Sequence, residues 1–259
     1  MSSLVDKKSV EVDKGPCLRI ARRDRRKART RRGISGKIAL SATRPAGRYQ
    51  GRVMTGSKKF WDRIAKRYEK KPVGDEAAYQ RKLATTREYF RPSMEVLEIG
   101  CGTGSTAIAH APYVAHIRAT DISEKMIEIA KGKATEAGVQ NVTFEALAIE
   151  DLGVASESVD AVLALSLLHL LEDKEAVIAR VHEMLRPGGI FVSNTVCLAD
   201  HMKWFRFVAP IGRWLGVFPL LRIFSRDELE AGITNAGFDI EHEWQPDKSV
   251  VFIIARKSG

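Results

Sequence analysis

Residues 96–105 read Val-Leu-Glu-Ile-Gly-Cys-Gly-Thr-Gly-Ser, with glycines at alternate positions 100, 102 and 104. Three alternate glycines strip every Cβ from one side of a tight turn, so a ligand can lie against bare backbone. If the turn opens a helix, free N–H groups are expected there too. Two carboxylates flank it: Glu98, two residues before the first glycine, and Asp121, 17 residues beyond Gly104. A dinucleotide fingerprint would place its third glycine at position 105, which is Ser105 here. An anionic pyrophosphate would also be repelled by Glu98. A ligand carrying an ammonium or another cationic centre would be favoured by it. Asp121 has the chemistry to accept both hydroxyls of a ribose; its other reading is a helix N-cap in Thr120-Asp121-Ile122-Ser123.

Such a turn needs a strand before it and a helix after it. Met94–Ile99 reads as an apolar strand and Gly104–Ala111 as a short helix. The chain then alternates: strand Ala115–Thr120, helix Ser123–Ala137, strands Val142–Leu147 and Val159–Leu165, helix Lys174–Leu185, and strand Ile190–Asn194 after a Pro187-Gly188-Gly189 turn. Helix Ser225–Ala236 and strands Asp239–Trp244 and Val250–Ala255 complete it. Ser123 is placed to cap its helix and Gly138 to close it. Strand–helix alternation at this spacing predicts parallel strands joined by right-handed crossovers. About five residues join the last two strands, too few for a parallel crossover, so the last strand should be antiparallel. Phe60, Trp61, Ile64 and Tyr68 recur at helical spacing, and a second helical pattern fills 75–90 before Pro92. The expected fold is α/β: a Rossmann-like doubly wound sheet of about seven strands, mostly parallel, preceded by N-terminal helices.

With these motifs in this order, residues 58–257 resemble the class I S-adenosylmethionine-dependent methyltransferases. Glu98-x-Gly100-x-Gly102-x-Gly104 resembles the family's first motif. Glu150-Asp151-Leu152 matches the end of its third, whose adenine-contacting acid falls on Ala148 here. Ser158–Leu165, Leu167–Asp173 and Leu185–Gly189 resemble the segments that follow. The resemblance implies S-adenosyl-L-methionine as cofactor. It implies contacts from Glu98, Gly100, Cys101, Gly102 and Gly104 in the first motif, and from Asp121, Ile122 and Met126 after the second strand. Ile149, Glu150 and Leu165 follow. With Ala148 in place of the acid, the adenine amino group would be held by backbone, water or Glu150. Tyr68 matches an N-terminal tyrosine that often touches the cofactor's methionine end.

Methyl transfer from a sulfonium is an in-line displacement, so the protein mainly aligns the partners. A base is needed only for an acceptor protonated at neutral pH. His169, after the fourth strand, is the candidate base, its alternative being a histidine packed under the next helix. Tyr68 is a candidate clamp on the donor, or core. The loop after the fourth strand, Leu165-Ser166-Leu167-Leu168, lacks the Asn/Asp-Pro-Pro-Tyr/Phe of base-methylating amino enzymes and the paired glutamates of protein-arginine enzymes. Between Cys197 and Phe224 lie Trp204, Phe205, Phe207, Trp214, Phe218 and Phe224, interleaved with Lys203, Arg206, Arg213 and Arg222 and no acid after Asp200. Three readings stand: a lid over a hydrophobic acceptor, an interfacial element touching a membrane through 202–224, or a cap on the sheet edge. The first two suggest a small lipophilic acceptor, such as a quinone precursor or lipid.

Composition limits the rest. The 259-residue chain has 44% apolar and 29% charged residues, ordinary for a packed domain. Its longest apolar run has 8 residues, against roughly 18 for a membrane span. Cys17, Cys101 and Cys197 form no CxxC, and no metal-ligand spacing occurs, so no metal is expected and a reducing, cytoplasmic setting is the simplest. The net charge of +10 is uneven: residues 1–53 hold 16 Lys+Arg and 4 Asp+Glu, while the rest is slightly acidic. The expected division is therefore a basic, disordered tail over 1–53 and a methyltransferase domain over 54–259, with 197–224 as its insert. For the tail, three readings stand: a solvated segment, a start codon misplaced upstream of Met54, or a tether to nucleic acid or acidic membrane. Its Arg content would suit a transit peptide, but Asp6, Glu11, Asp13 and Asp24 do not. The tether reading gives the alternative function, an RNA-associated methyltransferase or nucleic-acid-binding protein. The folded domain itself carries no basic excess for nucleic acid.

Overall fold

The computed structural model describes residues 55–72, 74–202, 204, 208–209 and 218–259. The basic segment 1–53 lies outside the described residues, as do Lys203, Phe205, Arg206, Phe207, Arg213 and Trp214 of the insert.

Two helices come first, α1 (Thr55–Glu69) and α2 (Glu76–Glu88). The alternating body follows as β1 (Glu95–Ile99), α3 (Ser105–His110), β2 (His116–Asp121), α4 (Glu124–Glu136), β3 (Val142–Ala146), β4 (Val159–Leu165), α5 (Lys174–Met184) and β5 (Leu185–Val196). It ends with α6 (Arg226–Asn235), β6 (Phe238–Asp247) and β7 (Val250–Lys257). The helices begin where short polar side chains can satisfy the open N–H groups of a first turn. The Asp75 side chain accepts from Ala78 N–H, Ser123 from Met126 N–H, and Asp173 from Ala176 N–H. Ser225 and Glu228 form a reciprocal capping box at α6.

The strands form one seven-stranded sheet in the order β3-β2-β1-β4-β5-β7-β6. β1 to β5 are mutually parallel, and β7 runs antiparallel between β5 and β6. Both faces of the central strands are covered, which is why they read as nearly continuous apolar runs. Leu97, Ile99, Val162, Phe191 and Ile253 pack on one side with residues of α5 and α6. Val96, Ile117, Leu163, Val192 and Ile254 pack on the other with residues of α3 and α4. The chain reverses its order between β1 and β4, so their carboxyl ends diverge and open a crevice.

The Pro187-Gly188-Gly189 segment is not a turn ahead of the fifth strand. β5 already pairs at Leu185 with Val159, and its register shifts before Ile190 meets Ala161, so the glycines form an irregularity inside the strand. A Cβ on Gly189 would lie 2.8 Å from the Arg186 carbonyl oxygen and 3.0 Å from that of Asp160, so this close approach needs glycine.

Candidate active site

The glycine turn sits at the head of the β1/β4 crevice, but its backbone is not the row of open donors expected from sequence. Cys101 N–H donates to the Thr120 carbonyl at 2.9 Å, and Gly104 N–H to the Cys101 carbonyl at 3.0 Å. Gly102 N–H donates to Asp121 Oδ2 at 2.9 Å. Two of these donors are spent on β2 and one inside the turn. What remains is a smooth surface flanked by carboxylates, unsuited to a pyrophosphate and suited to a cation.

The three glycines have positive φ angles of 69°, 53° and 76°, and they do different work. A Cβ on Gly102 would find Tyr68 Cε1 at 4.0 Å and nothing nearer, so this position faces open space beside the tyrosine. A Cβ on Gly100 would meet the Leu167 side chain at 2.8 Å. Gly104, expected among the cofactor contacts, lines neither cavity described below. Its Cβ would lie 2.7 Å from Ala130 Cβ and 2.8 Å from Phe144 Cε1. It lets α3 start close against α4 and β3, a packing role.

Two adjoining cavities share Tyr68, Gly100, Gly102, Leu165 and Ser166. The first, about 120 Å³, is lined by Asp121, Ile122, Met126, Ile149, Glu150 and Leu165, and by Ala148 at the position that departs from the family motif. Apolar Leu167, Leu170, Leu171 and Pro219 form another part of its wall. Asp121 does not cap a helix; Ser123 does that. Asp121 Oδ1 accepts from Ser123 N–H and Oδ2 from Gly102 N–H, both at 2.9 Å, so β2 is tied to the turn. Each oxygen keeps a lone pair for a ligand. Burial pushes the Asp121 carboxyl above its ordinary range, and the two backbone donors pull it back only in part.

The second cavity, about 410 Å³, holds Glu98 and Cys101. Glu98 is 2% exposed, and its Oε2 is buried with no hydrogen-bond partner among the described residues. Burial, reinforced by the nearby Asp121 charge, pushes its pKa to about 8. A carboxyl kept out of water without a partner is costly unless a ligand completes it. Cys101 is buried, and burial pushes its thiol well above the usual range, so it presents no nucleophile.

Helix α1 closes one side. Asp62 Oδ1 accepts from Ser123 Oγ–H at 2.7 Å and from Lys125 N–H at 3.3 Å, and Lys58 Nζ donates to Asp62 Oδ2 at 2.9 Å. The bonds from Ser123 and Lys125 dock α1 on the start of α4, with Ser57, Trp61 and Tyr68 at the cavity wall. Tyr68 is 44% exposed and meets Trp61 edge to face, so it is a residue of the cavity wall and not core. The helical spacing of α1 was readable in sequence; its anchor to Ser123, 61 residues away, carried no local signal.

His169 falls elsewhere. It lies in a short 3₁₀ turn, Leu168–Leu170, is 8% exposed, and lines neither cavity, although Leu167, Leu170 and Leu171 beside it do. Its carbonyl accepts from Arg222 N–H at 2.8 Å, and burial pushes its imidazole down to about 4. A ring so placed is a packed neutral histidine, and the expected base is displaced from the site for that reason. Sequence reading also missed Lys82, Lys133, Asn194 and Ser166, all of which line the second cavity. Among the described residues, no cluster of three or more His, Cys, Asp or Glu is arranged to hold a metal, and no helix is long and apolar enough to cross a membrane.

This geometry agrees with comparison to known proteins. Residues 90–216 match a family model described as a methyltransferase domain. A ubiquinone biosynthesis O-methyltransferase from Agrobacterium fabrum is 31% identical over 153 residues, covering 58% of this chain and 61% of that relative. The same-named protein of Rhizobium leguminosarum is 34% identical over 152 residues, 60% of its length. The chain thus spans about 60% of the length of these curated relatives. Among solved structures, the YcgJ protein of Bacillus subtilis superposes with a TM-score of 0.59 at 19% identity, covering 70% of this chain and 99% of that one; this is a likeness of fold. Residues 90–216 are thus similar in sequence to a methyltransferase domain, and the seven-stranded sheet has the Rossmann-like fold of the methyltransferases.

Proposed function

We propose that this protein methylates a small lipophilic acceptor with S-adenosyl-L-methionine as donor. The observation that carries the reading is Glu98: a buried carboxyl with one unpartnered oxygen, beside a side-chain-free turn whose other flank is Asp121. These residues fit the cofactor's charges and hydroxyls. Glu98 would take its ammonium and Asp121 its ribose hydroxyls. Ile122, Met126, Ile149 and Leu165 would enclose the adenine, with Ala148 and Glu150 along its edge. Gly100, Cys101 and Gly102 would give a backbone wall, and Tyr68 would cover the sulfur end. When bound, the cofactor supplies a methyl group already activated on a sulfonium.

The chain's own part is alignment and exclusion of water, which together can supply on the order of 7–11 kcal/mol. No proton transfer is assigned to His169. The name carried by the Agrobacterium and Rhizobium relatives supports an acceptor of quinone-precursor type, and the leucines beside Pro219 support an apolar one. Exposure of Trp204 and Val208 supports peripheral contact of the 202–224 segment with an apolar phase. The test is transfer of radiolabelled methyl groups to whole-cell lipid and metabolite extracts, with mass spectrometry of the product. A labelled small lipophilic product is expected. Label confined to nucleic acid or protein would refute the acceptor class.

A further inference from the structure

Helix α1 carries a charge that the cavities do not use. Residues 55–72 hold seven Lys+Arg and two Asp+Glu, whereas residues 73–259 hold 19 and 26. The domain is therefore polarised, with its basic excess gathered on one helix and the turn after it. On α1 the residues divide by face. Ser57 and Ala65 are buried, and Ser57, Trp61 and Tyr68 line the first cavity. On the opposite side Lys59, Arg63 and Lys66 recur at helical spacing, Lys70 continues the row in the turn that follows, and all four are exposed. Arg67 stands beside them, also exposed. One helix thus gives a wall to the cavity on one face and a cationic stripe to solvent on the other.

Among the described residues Lys59, Lys66, Arg67 and Lys70 make no ion pair; Lys66 reaches Glu128 only through longer-range attraction. Arg63 stacks over the Phe60 ring at 5.5 Å. Two acids of the neighbouring α4 are already taken, Glu124 by Lys58 and Glu128 by Lys125. Helix stability does not account for the stripe. Lys66 and Arg67 suit the carboxyl end of α1, but Lys59 lies toward its positive amino end, where a cation is unfavourable. A row of about four or more Lys and Arg along one face of an amphipathic helix is the pattern that settles on an anionic lipid surface.

Two observations favour lipid over nucleic acid as the anion. A membrane meets one face of the molecule, whereas a strand of nucleic acid running past α1 meets the acidic remainder of the domain. The exposed apolar groups also belong to segments that frame the same cavity: Tyr68 at the end of α1, and Trp204 and Val208 in the segment that reaches the cavity wall at Pro219. We propose that the outer face of α1 is a docking surface for an anionic membrane, and that docking brings the cavity walled by α1 beside the bilayer, from which a lipophilic acceptor enters. The stripe supplies the electrostatic part of a contact whose apolar part is the 202–224 segment.

This inference rests on the lipophilic acceptor proposed above for its use, and its test separates the two. The full chain is floated with phosphatidylcholine vesicles, pure or containing about 30% phosphatidylglycerol, with no cofactor or acceptor present. Each lysine near an anionic surface strengthens binding about fivefold. Joint replacement Lys59→Gln, Lys66→Gln and Lys70→Gln should therefore weaken binding to the anionic vesicles by about thirtyfold or more. The Arg-rich segment 1–53 is present in both proteins, so the loss reads α1 alone. Replacement of the same three lysines by Arg should retain binding, and S-adenosylhomocysteine affinity should be unchanged in both variants. In wild type, anionic vesicles should slow amide exchange over 55–71. A loss below about tenfold in the Gln variant, slowed exchange confined to 1–53, or equal binding to pure phosphatidylcholine overturns the docking surface. So does a larger loss of single-stranded RNA binding than of vesicle binding in the Gln variant, which would give the stripe to nucleic acid. Failure of wild type to bind S-adenosylhomocysteine refutes the cofactor reading instead, and vesicle binding is still read on the protein alone.

Discussion

Gly102 N–H and the Asp121 carboxylate lie 2.9 Å apart and join the ends of β1 and β2. The same carboxylate holds Ser123 N–H at 2.9 Å with its other oxygen. One side chain therefore shapes the glycine turn, positions the start of α4, and still offers two oxygens to the cavity. Asp121→Asn has one acceptor where the wild type has two, so one backbone donor is left facing an NH₂ group. Stability should fall by about 1–3 kcal/mol, and S-adenosylmethionine affinity by about 30-fold or more. Calorimetric titration and thermal melts measure both; an unchanged dissociation constant would remove Asp121 from the site.

Glu98 makes stability and binding depend on pH in opposite ways. Its folded pKa of about 8 stands above its ordinary 4.5. Between those values the folded chain holds a proton that the unfolded chain has lost, so the group weakens the fold increasingly as pH rises through the window. Glu98→Gln should therefore raise stability at pH 7 by as much as about 3 kcal/mol, with the gain fading toward pH 4.5. The same variant should lose cofactor binding. In wild type, binding a cationic amine at pH 7 should release close to one proton, read as a dependence of calorimetric heat on the buffer's ionisation enthalpy. Heat independent of buffer would count against an ammonium beside Glu98.

Two glycines of one motif should fail in different ways. Gly104→Ala puts a Cβ into Ala130 and Phe144 at a φ of 76°, and should cost about 2–4 kcal/mol of stability. Gly102→Ala meets nothing closer than 4.0 Å and should cost only about 1–2 kcal/mol, from its left-handed backbone. Its main loss should be in cofactor affinity. Equal destabilisation by the two would show that the turn is packed alike at both positions.

Asp62→Ala should undock α1 from α4. Its three hydrogen bonds, one each from Ser123, Lys125 and Lys58, contribute about 1–3 kcal/mol together. Because α1 carries Trp61 and Tyr68, cofactor affinity should fall several-fold although Asp62 lines neither cavity. Faster amide exchange over 55–69, with the sheet unchanged, would accompany it.

The strands of the central sheet were readable because burial on both faces leaves little but apolar residues in them, and each break carries Gly, Pro, Asp or Ser. The short Asp247–Val250 connection correctly gave an antiparallel last strand, but its place between β5 and β6 is set by pairing that local pattern does not contain. At the site, Glu98, Gly102 and Asp121 stood out through spacing along one segment of chain. Lys82, Asn194 and Ser166 did not, since they meet only when α2, β4 and β5 are assembled. His169 misled because the position beside an active-site strand could be read from sequence while the direction of its ring could not. The chain from 203 to 217, rich in aromatics and arginines, lies largely outside the described residues.

The bend between two carboxylates is proposed to hold a cationic methyl donor. A crystal structure of the protein with S-adenosylmethionine tests it directly. The donor's ammonium should lie against Glu98 Oε2 and its ribose hydroxyls on Asp121, with Gly100 and Gly102 beneath. Donor density elsewhere on the molecule, or a bend left empty at saturating concentration, would contradict it.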